Sequence, residues 1–307
     1  MNMRRLGHSD LTIGEIGLGC MSLGTDKEAA IHTVHEAMDR GVNFLDTADL
    51  YDDGRNEELV GQAIKGRRSK VILATKVGNR REAGKNVVWD ASKSYIVSAV
   101  KESLRRLGTD YIDLYQLHGG TLEDPMEETI EAFEELKQSG IIRYYGISSI
   151  RPKVIQAYAE MSNIASVMSQ YSILDRRPEE QVLPLLEQKG ISLIARGPLA
   201  RGILTDKGMD KIHKGYLNYS TDELLSLIHK IDAIVQTAKE DKASLTGVAL
   251  RYPLQHSSVA CIIPGASSLE QLDNNLREGN QTGLRSAVYH KLQQITHAQS
   301  YEKIHKL

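Results

Sequence analysis

The fold is decided by a stretch that reads VILATKV at residues 71–77, YIVSAVKESLRRL at residues 95–107 and IDLYQLH at residues 112–118. The first and last segments are short, apolar runs, which is typical of buried strands, whereas the middle segment repeats its apolar residues at helical spacing. Gly108 follows the middle segment directly, where a helix commonly ends. The stretch therefore predicts two parallel strands joined by a helical crossover.

The same alternation continues along nearly the whole chain. Strand-like runs occur at Gly14–Cys20, Asn43–Thr47, Val71–Val77, Ile112–His118, Tyr144–Ser148, Ser166–Gln170, Ser192–Ala195 and Val259–Pro264. Helical patterns lie between them, at Lys27–Arg40, Glu57–Lys65, Tyr95–Leu107, Met126–Lys137 and Pro152–Met161. Eight such repeats favour a closed (β/α)8 TIM barrel over an open sheet.

Three segments depart from this alternation. Arg4–Ile13 has the pattern of a hairpin that turns at residues 8–10, and we expect it to cover the bottom of the barrel. A long glycine- and lysine-containing excursion runs from Gly197 to Asp222, and loops of that length are usually functional. An extra helix is predicted at roughly Ser286–Ile304. Because the chain contains no linker or repeat, we expect a single domain spanning residues 1–307.

Composition excludes several classes of function. The 307 residues are 41% hydrophobic and 25% charged, and 38 basic against 40 acidic residues give a net charge of −2. Without a basic block, nucleic-acid binding is not expected. The sequence has no signal-peptide pattern and no run near the ~18 apolar residues of a membrane span, so we expect a cytoplasmic protein. Cys20 and Cys261 are expected to be buried thiols, and no metal site is predicted.

Ionisable residues lie at the ends of three consecutive barrel strands. Asp46 ends the second strand and Tyr51 follows it, Lys76 ends the third strand, and His118 ends the fourth. Taken singly, these residues would be a turn cap, a packing group, a surface charge and a structural histidine. The active sites of such barrels, however, are built at the carboxyl ends of the strands. We therefore expect all four side chains to share one site.

Their chemistry is that of a general acid directed at a carbonyl oxygen. A phenol has a pKa near ~10, and a neighbouring ammonium lowers it. Lys76 is expected to lower the pKa of Tyr51 in this way, held in place by Asp46, while His118 hydrogen-bonds the carbonyl. A carbonyl that gains a proton also needs a hydride, which predicts a nicotinamide cofactor.

Several motifs together resemble one known family. They are GVNFLDTADLY at residues 41–51, NEELVG at 56–61, LYQLH at 114–118, GIIRYYGISS at 140–149 and IPGASSLEQLDNN at 263–275. These segments, spread in order from about Arg4 to Asn275, resemble the aldo-keto reductase superfamily. GLGCM at residues 17–21 and DRR at 175–177 are similar to the bacterial branch that itself resembles potassium-channel beta subunits.

The resemblance assigns roles to individual residues. It makes Asp46, Tyr51, Lys76 and His118 the catalytic tetrad, with Tyr51 as general acid. It implies that Ser148 and Ser149 hold the nicotinamide carboxamide, and that Tyr171 stacks under the ring. Met168 stands where the family usually has a glutamine that shares in carboxamide binding, and Gln170 is a candidate substitute.

The resemblance also implies where the rest of the cofactor binds. RGPLARGIL at residues 196–204 is similar to the family's pyrophosphate loop, and the segment after the last strand is similar to its site for the adenosine 2′-phosphate. NADPH is therefore the expected cofactor, although Ser267, Ser268 and Gln271 carry no charge. The remaining expected contacts are Met21, Asp46, Gly197, Leu199, Arg201, Gly202, Gly265, Asn274 and Asn275.

The expected function is NADPH-dependent reduction of small aldehydes or ketones, with aldehydes favoured because Tyr51 and His118 crowd the site. Trp89 either lines the substrate pocket or packs on the barrel rim. One alternative is a cofactor-sensing regulatory subunit of a partner protein, which the channel-subunit resemblance suggests. Another is a metal-dependent barrel hydrolase or isomerase, but the strand ends lack paired metal ligands.

Overall fold

The chain folds around a barrel of eight parallel strands. The computed structural model describes residues 1–81, 86–237, 244–281 and 283–296. In chain order the strands are β1 (Met3–Arg5), β2 (Thr12–Gly14), β3 (Leu18–Gly19), β4 (Phe44–Asp46), β5 (Ile72–Val77), β6 (Asn79–Arg81), β7 (Val87–Trp89), β8 (Ile112–Leu117), β9 (Ile142–Ser148), β10 (Ser166–Gln170), β11 (Ser192–Arg196) and β12 (Val259–Ile263).

The barrel strands lie in the order β3-β4-β5-β8-β9-β10-β11-β12, each parallel to the next. Parallel bridges from Ile16 to Ile262 and from Gly19 to Gly265 join the first strand to the last and close the ring. The predicted eight-stranded (β/α)8 barrel is confirmed. Because all eight strands run the same way, their carboxyl ends meet at one mouth.

Ten helices accompany the strands in the described part of the chain. They are α1 (Lys27–Asp39), α2 (Arg55–Ile64), α3 (Lys93–Leu107), α4 (Met126–Gln138), α5 (Pro152–Met161), α6 (Val182–Lys189), α7 (Thr221–Thr237), α8 (Leu245–Arg251), α9 (Leu269–Gly279) and α10 (Ser286–Ile295). Side chains of Asp26 and Ser92 cap α1 and α3 at their first turns. Gly108 ends α3 in the left-handed conformation that glycine adopts without strain. No described helix is long and apolar enough to cross a membrane.

The two ends of the chain largely follow the sequence prediction. β1 and β2 form an antiparallel hairpin, and Leu6, Leu11 and Ile13 bury their side chains in the core inside the barrel. The hairpin therefore closes the bottom, as expected. The extra helix is α10, and the predicted continuation beyond residue 296 lies outside the described residues. The antiparallel pair of β6 and β7 at the mouth was not predicted from the sequence.

Strand alternation decides which residues reach the mouth of the barrel. Phe44, Ala74, Leu114, Met168 and Ile194 belong to the core inside the barrel. The side chain two residues further along each strand lies on the same face. Those next positions are Asp46, Lys76, Gln116, Gln170 and Arg196. The inside of the barrel therefore changes from apolar to polar as the strands approach their carboxyl ends.

A second polar cluster is buried behind the mouth, between the barrel and its surrounding helices. The Glu57 carboxylate accepts hydrogen bonds from Thr75 Oγ1 at 2.6 Å and from Arg106 Nε at 2.7 Å. Asp49 Oδ1 is buried there without a hydrogen-bond partner among the described residues. Burial, together with the negative charge of Glu57, raises the pKa of Asp49 to about 7. Asp49 is therefore held partly protonated near neutral pH.

We expect Asp49→Asn to stabilise the protein above pH 7. A carboxyl whose folded-state pKa is raised favours folding below its unfolded pKa of ~3.9, and this contribution is lost as the pH rises through the folded value. The amide mimics the protonated acid and so avoids the loss. The free energy of unfolding at pH 8 should rise by about 1–4 kcal/mol relative to the native sequence.

The measurement is urea unfolding of the native protein and Asp49→Asn at pH 5 and pH 8. The advantage of the variant should shrink at pH 5. Asp110→Asn, which changes an exposed carboxyl, is the matched control and should leave stability nearly unchanged at both pH values. An equal effect of Asp49→Asn at the two pH values would contradict the assigned titration.

Candidate active site

Lys76 lies at the centre of the site. Its Nζ atom donates hydrogen bonds to Asp46 Oδ2 at 2.7 Å, to the Thr47 carbonyl oxygen at 2.8 Å and to the Tyr51 hydroxyl oxygen at 3.1 Å. These three acceptors match the three donors of an ammonium group. The structure therefore brings Asp46, Tyr51 and Lys76 together, as the strand-end argument predicts.

Lys76 is fully buried yet keeps its charge. Burial alone would lower its pKa, but the charges of Asp46 and Tyr51 and its hydrogen bonds to them raise the pKa above the ordinary value. Gln116, also fully buried, donates from Nε2 to Asp46 Oδ1 at 3.4 Å. The Asp46 carboxylate thus accepts hydrogen bonds from two sides, one from Lys76 and one from Gln116. Gln116 was missed in the sequence, although it stands two residues before His118 on the same strand face.

Tyr51 carries its proton at neutral pH. Burial raises the pKa of Tyr51 above its ordinary value, and the Lys76 ammonium offsets this only in part. Lys76 thus lowers the pKa of Tyr51, as expected, but the loss of solvation outweighs this effect and the net shift is upward. A protonated phenol at this position can act as a proton donor, which is the role the sequence suggested.

An unusual turn places Tyr51 over Lys76. Residues 51–54 form a 3-10 turn in which Asp52 and Asp53 have positive φ angles of 48° and 59°. Such angles are strained for non-glycine residues and persist only where surrounding contacts enforce them. Asn56 supplies such contacts: it accepts from Thr47 Oγ1 at 2.7 Å and donates to the Cys20 carbonyl oxygen at 2.9 Å. The turn is therefore anchored to the ends of β3 and β4.

His118 faces Tyr51 as an uncharged imidazole. The two rings meet edge to face, with their centroids 6.0 Å apart. Burial, with smaller contributions from the positive charges of Lys76 and Arg196, lowers the pKa of His118 to about 3. Its Nδ1 atom is buried without a hydrogen-bond partner among the described residues. A neutral histidine beside Tyr51 can donate a hydrogen bond to a carbonyl oxygen. Because it lacks the second proton of an imidazolium, it cannot act as a general acid at neutral pH.

Arg196 is a further charged group at the mouth that the sequence did not single out. It is partly buried at the end of β11 and donates from Nη1 to Gln170 Oε1 at 2.9 Å. Gln170 in turn donates from Nε2 to the Tyr216 hydroxyl oxygen at 2.9 Å. The available signal was a positive charge directly after the seventh strand-like run, two residues after Ile194 on the same strand face.

The residues expected at the carboxamide are only partly brought together at the mouth. Ser148 ends β9 and is mostly buried, and the Ser149 backbone N–H bonds the Met168 carbonyl oxygen at 3.0 Å. Met168 itself is 1% exposed and packs in the apolar core inside the barrel. Gln170, one step nearer the mouth, is therefore better placed than Met168 to contact the cofactor.

Tyr171 points away from the site. It has no exposed surface, and its hydroxyl donates to Glu179 Oε1 at 3.0 Å. Its ring packs edge to face on Tyr252, in the layer between the barrel and the helices. The prediction that Tyr171 stacks under the nicotinamide ring is therefore wrong. The physical reason is strand alternation, which turns Tyr171 outward when Gln170 faces the mouth.

The excursion after β11 carries positive charge over a cavity. A pocket of about 300 Å³ is lined by Gln170, Arg201, Lys214, Gly215, Tyr216 and Leu217. Within the described residues, Arg201 and Lys214 make no ion pair. Gly197 and Gly202 have positive φ angles of 65° and 85°, and Leu199 is partly buried between them. Cations that face a cavity without a carboxylate partner fit a phosphate-bearing ligand.

The segment after β12 offers uncharged donors at a helix start. Ser268 caps α9 by accepting from the Gln271 backbone N–H at 3.2 Å. Gln271 Oε1 accepts from both the N–H and the hydroxyl of Ser267, which leaves the amide Nε2 as a donor. Asn275 Nδ2 donates to the Gly265 carbonyl oxygen at 3.2 Å, and Asn274 accepts from Arg277. Met21 is 66% exposed in the turn after β3.

Trp89 lies beside His118 at the edge of the mouth. Its indole Nε1 donates to Asp124 Oδ1 at 2.7 Å. The ring covers Gly78 and Gly119, where an added Cβ would come within 2.5 Å and 3.0 Å of it. Since Gly119 directly follows His118, Trp89 forms a wall next to the tetrad. The described residues hold no group of three or more histidine, cysteine or acidic side chains that could bind a metal ion.

Comparisons with known proteins find relatives over nearly the whole chain. The Aldo/keto reductase family model matches residues 15–297. The uncharacterized oxidoreductase YqkF of Bacillus subtilis is 53% identical, over 98% of this chain and 99% of that protein. An NADH-specific methylglyoxal reductase of Escherichia coli is 31% identical, over 88% of this chain and 91% of that protein.

A solved structure is similar over nearly the same length. The holo form of an aldo-keto reductase from Bacillus halodurans has a TM-score of 0.93 and 53% identity, over 99% of each chain. With the family match, the barrel and the Lys76-centred site, this chain belongs to the aldo/keto reductase family and is a nicotinamide-dependent oxidoreductase.

Proposed function

We propose that the protein reduces small aldehydes and ketones with NADPH, using Tyr51 as the general acid. The observation that carries the proposal is the hydrogen bond of 3.1 Å from the buried Lys76 ammonium to the hydroxyl of a protonated Tyr51, beside a neutral His118. This arrangement offers a proton where a carbonyl oxygen could bind, together with a positive charge to stabilise the base that remains.

Each of the four tetrad residues has its own role in delivering the proton. His118 donates a hydrogen bond that holds the carbonyl oxygen near the Tyr51 hydroxyl. Tyr51 gives its proton to that oxygen as negative charge develops there, and Lys76 stabilises the phenolate that results. Asp46 keeps Lys76 charged and aimed at Tyr51. A nicotinamide cofactor, when bound, supplies the hydride for the carbonyl carbon.

The donor set fits such a cofactor. Arg201 and Lys214 would hold the diphosphate at the cavity of about 300 Å³. Ser148, Ser149 and Gln170 would hold the carboxamide. Ser267, Ser268 and the free Nε2 of Gln271 would meet the 2′-phosphate at the start of α9, where backbone N–H groups favour anions. We place NADPH above NADH on this basis, with a modest preference because these side chains are uncharged.

Substrate size follows from the walls of the site. Tyr51 and His118 meet edge to face, and Trp89 stands over Gly119 next to them. An aldehyde presents only hydrogen on one side of its carbonyl carbon, so it fits between these rings with less crowding than a ketone. We therefore propose small aldehydes as the preferred substrates, with Trp89 contacting the group attached to the carbonyl.

Replacing Tyr51 by Phe should abolish turnover but preserve cofactor binding. The substitution removes only the hydroxyl, and general acids contribute about 10²–10⁴-fold to rate. We expect kcat with a panel of small aldehydes to fall at least that far, measured by loss of NADPH absorbance. The dissociation constant for NADPH should stay within about twofold, since the ring remains in place.

Tyr111→Phe is the matched control, because Tyr111 packs on Arg68 and not in the site. It should retain full activity. Substantial activity in Tyr51→Phe would refute the assignment of the general acid. A native protein that binds NADPH but turns over no carbonyl would favour the regulatory-subunit alternative.

Cofactor preference should depend on the segment after β12. Ser267→Asp places a negative charge where the 2′-phosphate is expected, so NADPH affinity should fall by about tenfold or more while NADH affinity changes by less than about threefold. Ser94→Asp, which adds the same charge at an exposed position on α3, is the control. Equal weakening of both nucleotides in a fluorescence titration would place the 2′-phosphate elsewhere.

A further inference from the structure

Arg196 is fixed at the mouth of the barrel by a chain of hydrogen bonds. It pairs in register with Gln170 across β10 and β11, and its Nη1 donates to Gln170 Oε1 at 2.9 Å. Gln170 Nε2 donates to the Tyr216 hydroxyl oxygen at 2.9 Å. Neutral groups therefore hold the Arg196 guanidinium on one side. The hydrogen bond between Gln170 and Tyr216 connects it to the excursion after β11.

The guanidinium shares its face of the barrel with the tetrad. Ile194 packs in the core inside the barrel, and Arg196 lies two residues further along the same strand face. Asp46 and Lys76 occupy the equivalent positions on β4 and β5. The charge of Arg196 acts on both Tyr51 and His118, on whose pKa values it has a lowering effect. It is therefore electrostatically part of the reaction site.

Arg196 has no anionic partner within the described residues. In the described part of the chain, its side chain hydrogen-bonds only the neutral Gln170, and no carboxylate forms an ion pair with it. Buried arginines are usually paired, because an uncompensated charge is costly to remove from water. A guanidinium stays charged in any protein environment. The structure thus keeps an unneutralised positive charge at the place where the reaction occurs.

An aromatic stacking group is not available at these strand ends. Tyr171 is turned outward, and the side chains of β10 and β11 that face the mouth are Gln170 and Arg196. A hydride donor must approach the carbonyl carbon whose oxygen meets Tyr51 and His118. It therefore binds near Arg196, in the field of its charge.

We propose that Arg196 makes the site discriminate between the two oxidation states of the cofactor, an inference that rests on the proposed function. The reduced nicotinamide ring is neutral, whereas the oxidised ring carries a positive charge. A fixed guanidinium close by repels only the oxidised ring. The site consequently binds the reduced cofactor more tightly, favours carbonyl reduction over alcohol oxidation and promotes release of the oxidised cofactor.

The test compares the dissociation constants of NADP⁺ and NADPH in three proteins. Arg196→Met removes the charge and keeps much of the length, and Arg196→Lys keeps the charge. In the native protein we expect NADP⁺ to bind more weakly than NADPH. In Arg196→Met the ratio of the two constants should fall by about tenfold, which corresponds to ~30 mV in the potential of the bound two-electron couple. Arg196→Lys should retain most of the native ratio.

Arg201→Met is the matched control, because it removes a cation from the cavity on the same excursion. A phosphate contact is common to both oxidation states, so both constants should rise together and their ratio should stay within about twofold. Isothermal titration calorimetry measures all the constants without turnover. Thermal unfolding identifies any variant that fails to fold, and Arg196→Lys then still tests whether the ratio follows the charge.

Two results would overturn the inference. An unchanged ratio in folded Arg196→Met, with both constants weakened, would make Arg196 an ordinary cofactor-phosphate contact. An unchanged ratio with a raised KM only for aldehydes that carry a carboxylate would make it a substrate-binding residue. Failure of the proposed function looks different, because the native protein would then either bind neither nucleotide or bind NADPH without turning over any carbonyl.

Discussion

The site depends on one buried charge, the ammonium of Lys76. Removing an ammonium from water is tolerable only when every donor finds an acceptor and an opposite charge lies close. Asp46, the Thr47 carbonyl and the Tyr51 hydroxyl meet that demand. They do so because β4 and β5 pair in parallel register and the following turn folds back over them. The barrel therefore positions the Tyr51 hydroxyl, the proposed proton donor, by first satisfying the hydrogen-bonding demand of Lys76.

The same burial fixes the protonation states of the neighbouring groups. Loss of solvation keeps the proton on Tyr51 and keeps His118 neutral, and these states fit the proposed roles of Tyr51 as proton donor and His118 as a hydrogen-bond donor to the carbonyl oxygen. While Tyr51 keeps its proton, burial outweighs the lowering effect of Lys76 on its pKa. The larger effect of Lys76 comes when the phenolate forms, because the attraction to a full negative charge in a dry site is much stronger. Stabilisation is thus concentrated in the transition state.

The sequence predicted the barrel, its bottom hairpin and the tetrad positions because these follow from alternation and from strand ends. It did not predict how the side chains of β10 are arranged, so the family resemblance suggested Tyr171, which points outward, and Met168, which lies deeper in the barrel on the same face as Gln170. Gln116 and Arg196 were overlooked for a related reason. The role of a polar residue at a strand end can be identified only when the neighbouring side chains on the same inner face are known. The pKa of Tyr51 rises because its side chain is buried, and the spacing of residues in the sequence does not reveal how deeply a side chain is buried.

The positively charged side chains of the site lie in two places, and each place fits a different part of the proposed cofactor. Arg201 and Lys214 lie at the cavity beside the excursion, where attraction to phosphates is the same for either oxidation state of a nicotinamide cofactor. Arg196 lies on the face of the barrel that carries Asp46 and Lys76, and under the proposed function it lies near the ring, whose charge differs between the two states. We therefore propose that Arg201 and Lys214 govern how tightly the cofactor is held, whereas Arg196 governs which form is held. Because Gln170 joins Arg196 to Tyr216, the two functions share a single hydrogen-bonded connection through the excursion.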